Sequence, residues 1–290
     1  MYFPEVIYLE TTNKCNAGCI MCPHKTMKRK QITMPDEVFS SALRRCKELQ
    51  PNGVQIFLHK EGEPLLDGKI TGRISAVKAE LGEGNEIAMN TNAMLLSEET
   101  AERIISSGLD TIYFSVDGFD RESYARIRIG LDYDTVAENI RRFFLLKDKL
   151  HSDIRVIMQT LIRSETDPSA EKFRQVWEEY PCEFYIKRMH GYLDGGHSSQ
   201  TRKLSQSQTN TCTDPFRILV IYSDGNTGLC CWDYNNEYCA GNIAGESLLE
   251  IFNGERASRL RQAITSHNGH TVTPCSRCAR IFGDDSISPC

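Results

Sequence analysis

Glu10-Thr11-Thr12-Asn13-Lys14-Cys15-Asn16-Ala17-Gly18-Cys19-Ile20-Met21-Cys22-Pro23-His24 follows directly on the short apolar run Val6-Ile7-Tyr8-Leu9. The apolar run predicts a buried strand, which places three cysteines, spaced C-x3-C-x2-C, on a loop at its end. Three thiolates this close in sequence are soft metal ligands. A structural zinc is normally closed by four ligands, so three leave it incomplete. An iron-sulfur cluster held by three cysteines instead keeps one iron open for chemistry.

Working outward, the 290 residues are 40% apolar and 25% charged, with a net charge of -5. A sizeable core is available, and no basic stripe points to nucleic acid or an anionic membrane surface. No apolar stretch approaches the roughly 20 residues of a membrane-spanning helix. Twelve cysteines, in a chain that opens on a strand rather than a signal peptide, argue for metal over disulfides and for a cytoplasmic location. The basic run at 25–30 reads as a solvated loop.

Strand patterns fall at 6–9, 54–58, 86–90, 111–116, 154–161 and 183–189. Helical periodicity falls between them at 36–50, 70–81, 98–107, 136–150 and 169–180, with Ser97 as an N-cap and Asp167-Pro168 marking another start. This alternation with short connections specifies a parallel α/β sheet, here an open partial (β/α)6 barrel over residues 1–200. The stretch 191–210 is polar and rich in Gly, Ser and Gln, and reads as a linker or substrate-covering loop. Residues 201–290 change pattern and are assigned to a second, smaller domain. They carry a hairpin of 217–222 and 228–232 around Ser223-Asp224-Gly225-Asn226, then a helix near 247–253.

In parallel barrels, functional groups gather at the C-terminal ends of strands. The residues found there are Glu61-Gly62-Glu63-Pro64, Asn90-Thr91-Asn92-Ala93, Ser115-Val116-Asp117-Gly118, Gln159, and Lys187-Arg188. With the cysteine spacing, these segments resemble the radical S-adenosylmethionine (SAM) superfamily. The resemblance implies that Cys15, Cys19 and Cys22 ligate a [4Fe-4S] cluster whose open iron chelates the methionine end of SAM. It implies a 5'-deoxyadenosyl radical that takes hydrogen from substrate. It further implies cofactor-binding roles for Glu61, Gly62, Glu63 and Pro64 at the SAM amino group. Asn90, Asn92, Ser115, Asp117, Gln159 and Arg188 would lie around the ribose, carboxylate or substrate. Ala93 stands where that family usually has glycine.

Cys212, Cys230, Cys275 and Cys278 form a second set, C-x17-C followed by C-x2-C. With Gly225-x4-Cys230 and Gly241-Asn242-Ile243, it resembles the SPASM/twitch group of radical SAM enzymes. That resemblance implies an auxiliary [4Fe-4S] cluster with four protein ligands, Cys230 rather than Cys231 among them. A zinc ribbon is the alternative reading of the four cysteines. Cys46 and Cys182 read as small buried hydrophobes.

Cys239, in Glu237-Tyr238-Cys239-Ala240-Gly241-Asn242, is expected to face the barrel mouth, where its S–H would return hydrogen to a substrate radical. Similarity to aminoglycoside-pathway members of the group implies an aminoglycoside or aminocyclitol substrate, its ammonium groups paired by Asp117, Glu61 and Asp233. It also implies a flavodoxin- or ferredoxin-like reductant. The leading expectation is epimerisation with Cys239 as catalytic donor. The alternative is dehydrogenation of a secondary alcohol, with the auxiliary cluster taking the electron. A peptide-modifying maturase is a further alternative; such enzymes often carry an N-terminal recognition domain, whereas here the first strand opens the chain.

Overall fold

The computed structural model describes residues 1–164, 166–189 and 212–278. Six strands pair in parallel in chain order: β1 (Val6–Leu9), β2 (Gln55–Phe57), β3 (Glu86–Thr91), β4 (Thr111–Ser115), β5 (Arg155–Ile162) and β6 (Glu183–Arg188). The helices between them are α1 (Asp36–Leu49), α2 (Ile70–Leu81), α3 (Glu98–Ile105), α4 (Arg121–Ile127), α5 (Tyr133–Lys149) and α6 (Ser169–Trp177). This is the alternation read from the sequence, with one helix added.

Local chemistry sets the boundaries. The Ser97 side chain accepts the Thr100 N–H at the start of α3, and Asp132 does the same for Thr135 at α5, supplying acceptors that helix N-termini lack. Helix α1 buries Phe39, Ala42, Cys46 and Leu49, spaced to form one stripe against the sheet. Cys46 packs there as a small hydrophobe, its thiol pushed up to about 12 by burial. Cys182 is part-buried and donates to the Trp177 carbonyl at 3.6 Å.

The sheet does not stop at β1. Strand β7 (Ile218–Ile221) pairs in parallel with the other edge of β1, matching Val6 to Ile218 and Leu9 to Ile221. All four of its residues are buried, which explains an unbroken apolar run rather than an alternating one. Strands β8 (Asn226–Gly228) and β9 (Gly241–Asn242) follow antiparallel, giving one nine-stranded sheet ordered β6-β5-β4-β3-β2-β1-β7-β8-β9. The region after residue 212 therefore continues the barrel sheet. The expected boundary near residue 200 and the stretch 191–210 lie outside the described residues.

Two expectations are corrected. The returning hairpin strand is Asn226–Gly228, not 228–232. Tyr222 and Gly225 close the turn, Gly225 at a φ of +83° that favours glycine, and the chain leaves the sheet after Gly228 to carry Cys230 elsewhere. The connection between β4 and β5 also holds two helices. Short α4 was not expected, although Asp120 and Ser123 form a reciprocal capping box at its start. Two further helices, α7 (Asp214–Arg217) and α9 (Glu255–Thr265), flank the expected α8 (Leu248–Asn253), which Ser247 and Glu250 cap as a box. Among the described residues, no helix is long and apolar enough to cross a membrane.

Candidate active site

A cavity of about 500 Å³ opens at the C-terminal ends of the parallel strands, and Cys15, Cys19 and Cys22 all line it. Their loop has little regular structure of its own, so its shape comes from outside. The Gly18 N–H donates to the Ile129 carbonyl at 2.8 Å and the Ile20 N–H to the Ile127 carbonyl at 3.0 Å, fastening the loop to the end of α4. Within the loop, Asn13 accepts from the Ile32 N–H and donates to the Lys30 carbonyl, while the buried His24 ring bonds the Asn13 carbonyl at 2.8 Å.

Arg29 is a correction to the solvated basic run. It makes a two-bond ion pair with buried Glu10, at 2.8 and 2.6 Å. Glu10 also accepts from the backbone and hydroxyl of Ser223, tying the loop to the β7–β8 turn. Lys25, Lys28 and Lys30 are exposed.

Glu61-Gly62-Glu63-Pro64 packs directly under this loop. A side chain at Gly62 would put its Cβ 2.3 Å from the Thr12 carbonyl and 2.7 Å from that of Lys14, so only glycine allows the approach. The Glu63 carboxylate accepts from the Leu65 N–H, the Thr91 hydroxyl at 2.7 Å and the Asn92 N–H at 2.8 Å. It is thus a brace between two loops rather than a free acid, and burial raises its pKa against the pull of those bonds. Pro64 does not line the cavity; it opens a short helical turn capped by Glu63. Asn92 donates to Asn16 at 2.8 Å, joining the third-strand turn to the cysteine loop. Ala93 takes the left-handed φ of +59° expected of the glycine it replaces.

Asn90, Ser115 and Gln159 form a polar row across β3, β4 and β5, the Ser115 hydroxyl donating to Asn90 at 2.6 Å and accepting from Gln159 at 3.4 Å. Deeper in the barrel the walls are aromatic, with Tyr8, Phe57, Tyr113 and Tyr185. His59 stands edge-on to Tyr8 and Phe57. Its Nδ1 accepts the Asn90 N–H at 3.2 Å, which assigns the ring proton to Nε2. Burial, with Lys187 and Lys60 nearby, pushes its pKa down to about 3. His59 is therefore a neutral donor at neutral pH.

The cavity's acids are already partnered. Glu61 pairs with Lys60, whose ammonium also donates to the Cys231 carbonyl at 3.2 Å. Asp117 pairs with Arg128 at 2.5 Å, and Arg128 donates to the Cys19 sulfur at 3.6 Å. Arg128, His59 and Lys60 were missed from the sequence. Arg128 follows the short helix that was not expected, although its capping signal was there to find. Lys187 lines the cavity with its ammonium 4.3 Å from the Tyr185 ring. Arg188 does not; it is exposed, because successive residues of a strand point to opposite faces.

Cys212, Cys230, Cys275 and Cys278 converge on a second, small pocket walled by Pro215, Leu229, Leu260, Pro274 and Trp232. Burial raises the Cys230 thiol well above its ordinary value, with Asp214, Cys212 and Cys278 adding to it. Cys231 is absent from this pocket and lines the active cavity instead, its sulfur 3.6 Å from Asp214. Of the two adjacent cysteines, it is Cys230, the expected ligand, that lines this pocket. Asp233, expected to meet substrate, faces this second pocket and accepts the N–H groups of Glu237 and Tyr238 at 2.8 Å each. Cys239 lines neither site; its thiol donates to the Gly241 carbonyl at 3.3 Å.

Both sites suit the groups the sequence implied. In the first, burial raises Cys15 to about 11 and Cys22 to about 12, and the thiols lie close enough to raise one another further. Such thiols ionise on meeting a metal, and the cavity of about 500 Å³ gives room beside them.

The chain belongs to the radical SAM superfamily, whose family model matches residues 9–175. The model of the SPASM iron-sulfur cluster-binding domain matches residues 212–279. The cofactors are accordingly SAM and two [4Fe-4S] clusters, one auxiliary. The chain is 33% identical over 124 residues to a GTP 3',8-cyclase of Synechococcus sp. (strain CC9902), covering 42% of this chain and 34% of that one. The chain spans only 31–46% of the length of that cyclase and of two other curated relatives it matches. It is 19% identical over 278 residues to the S-adenosyl-L-methionine-dependent 2-deoxy-scyllo-inosamine dehydrogenase of Niallia circulans, covering 96% and 93% of the two chains. Among solved structures it resembles BtrN in complex with AdoMet and 2-DOIA (TM-score 0.63, 14% identity, 98% of each chain). It also resembles anSMEcpe with bound AdoMet and a peptide (TM-score 0.69, 17% identity, 96% and 87%).

Proposed function

We propose that this radical SAM enzyme oxidises a secondary alcohol of a small aminocyclitol-type substrate to a ketone. The observation that carries the reading is the position of Trp232, which borders both the active cavity and the auxiliary pocket. One side chain thus separates a substrate in the cavity from the second cysteine set. The likeness to the 2-deoxy-scyllo-inosamine dehydrogenase, along nearly the whole of both chains, supports the substrate class.

When bound, SAM and the clusters would supply a 5'-deoxyadenosyl radical that takes the carbon-bound hydrogen and an acceptor for the remaining electron, while the hydroxyl proton leaves to solvent through the open mouth of the cavity. Cys15, Cys19 and Cys22 would hold the first cluster, and Cys212, Cys230, Cys275 and Cys278 the second. Glu63 holds the SAM-side loop in place through its three bonds. The Asn90–Ser115–Gln159 row faces the ribose and substrate with donors and acceptors. His59 offers its neutral Nε2–H to a substrate hydroxyl without repelling an ammonium group. The aromatic walls exclude water from the reacting carbon. The division into a barrel (1–200) and a cluster domain (201–290), a cytoplasmic location and a flavodoxin- or ferredoxin-like reductant belong to the same proposal.

Epimerisation is the second reading, favoured by Cys239, a free thiol on the loop between Trp232 and β9. In this structure Cys239 is not at the cavity, so that reading requires its loop to move. Anaerobic turnover of 2-deoxy-scyllo-inosamine and an aminoglycoside panel in deuterated water, read by mass spectrometry, separates the two. Loss of two hydrogens is expected. An isomer carrying one carbon-bound deuterium, abolished by Cys239→Ala, would establish the epimerase instead.

A further inference from the structure

We propose that Arg128 and Asp117 form a charge pair that sets the reduction potential of the SAM-binding cluster through Cys19. The inference rests on the assignment of Cys15, Cys19 and Cys22 as cluster ligands. Arg128 is the residue after α4, and the carbonyls of Ile127 and Ile129 on either side of it fasten the cysteine loop. The loop and the guanidinium are therefore held as one unit, with Arg128 Nη1 donating to Cys19 Sγ at 3.6 Å. Hydrogen bonds and positive charge at a cluster sulfur favour the reduced, more negative state.

Asp117 governs how much of that charge is felt. It follows β4 at a φ of +53°, an uncommon backbone for a non-glycine residue, and Gly118 beside it packs against the Tyr124 backbone at a distance no Cβ would fit. The strained turn directs a carboxylate that is only 1% exposed onto Arg128 Nη2 at 2.5 Å. Among the described residues, both Asp117 oxygens and Arg128 Nε lack a hydrogen bond of good geometry, and the Leu161 N–H and the Lys187 ammonium stabilise the carboxylate less than Arg128 does. Arg128 is the carboxylate's strongest stabilising partner, and the effect of Asp117 on the cluster is to cancel part of that cation's charge. Arg128 and Asp117 are positioning residues in this role, acting on the cluster through Cys19.

The test is an EPR-monitored redox titration of the reconstituted holoenzyme without SAM, following the signal that changes when SAM is later added. Arg128→Met is expected to make that cluster harder to reduce, and isosteric Asp117→Asn to make it easier. Each shift should be several-fold to tenfold in the reduction equilibrium, tenfold being 59 mV for one electron. The double variant, which leaves no buried charge alone, should fall between them. The auxiliary cluster should not move. Opposite signs are the signature, because a merely structural role would move both variants the same way. Unchanged potentials, or shifts of the same sign, would overturn the proposal. Should Arg128→Met fail to load iron, Asp117→Asn alone decides, since an unshifted or lowered potential there is equally fatal. Deoxyadenosine formation without substrate, measured in parallel, is independent of whether the aminocyclitol reading holds.

Discussion

The two cysteine sites differ in how they are built. The first takes three cysteines from eight consecutive residues and opens on a large, polar-rimmed cavity; the second takes four from three separated segments and closes them among Leu, Pro and Trp side chains. A loop with little structure of its own must be held from outside, and glycine contact, helix-end hydrogen bonds and buried ion pairs all converge on it. The closed site is held by ordinary apolar packing. On the proposed reading, the difference is that of a reactive site, where a ligand position would be kept free, and a site whose four cysteines would close the cluster and leave it to exchange electrons.

Breaking each site in turn gives the largest expected effects. Cys15→Ala, Cys19→Ala or Cys22→Ala should lower deoxyadenosine formation roughly a thousandfold or more, because each would remove one of the three proposed ligands of the open cluster. Cys275→Ala should leave deoxyadenosine formation within a few-fold of wild type while ketone yield falls by at least about tenfold. Chromatography of both products in one reaction reads the two. If Cys275→Ala abolished deoxyadenosine as well, the sites would not have separable roles.

A second effect sharpens what holds the open site. Gly62→Ala forces a Cβ into the Thr12 and Lys14 carbonyls and should destabilise the fold by about 2–4 kcal/mol, with weaker SAM binding. Gly72 is the control. It lies inside α2 with nothing near its absent Cβ, so Gly72→Ala should be neutral or stabilising by up to about 1 kcal/mol. Urea midpoints of the two variants measure the contrast.

What was legible in the sequence follows the same division. The strand-helix alternation and the grouping of both cysteine sets were legible in residue type and spacing, because each is local, while Gly62, Glu63, Asn92 and Ser115 were singled out by their place at strand ends and by the family resemblance. Arg128 and Lys60 were not, because their roles arise from pairing across many residues, with Cys19 in one case and the Cys231 carbonyl in the other. Lys187 and Arg188 stood together as candidates, and only strand alternation separates them. Cys239 was placed at the cavity from its sequence neighbourhood, and Asp233 from the charge of the substrate that the resemblance implied. The loop instead turns Asp233 back on its own N–H groups and Cys239 onto the Gly241 carbonyl.

The smallest effect concerns acid, and it belongs to the open site, because among the described residues no histidine lines the closed pocket. His59 has an ordinary value of 6.5 when unfolded and about 3 when folded, so the unfolded chain takes up a proton first as pH falls. The stability contributed by the neutral ring is fully present above pH 6.5 and is lost progressively down to about pH 3. His59 lines a cavity and is only part-buried, so the loss between pH 7.5 and 5.5 should be on the order of 1 kcal/mol, below the ceiling of about 1.4 per pH unit. His59→Gln, which keeps an N–H donor but cannot titrate, should flatten that slope in urea titrations at the two pH values. A variant as acid-sensitive as wild type would mean that the Nδ1 bond to Asn90 does not hold the ring neutral, and the cavity's polar rim would then gain a positive charge under mild acid.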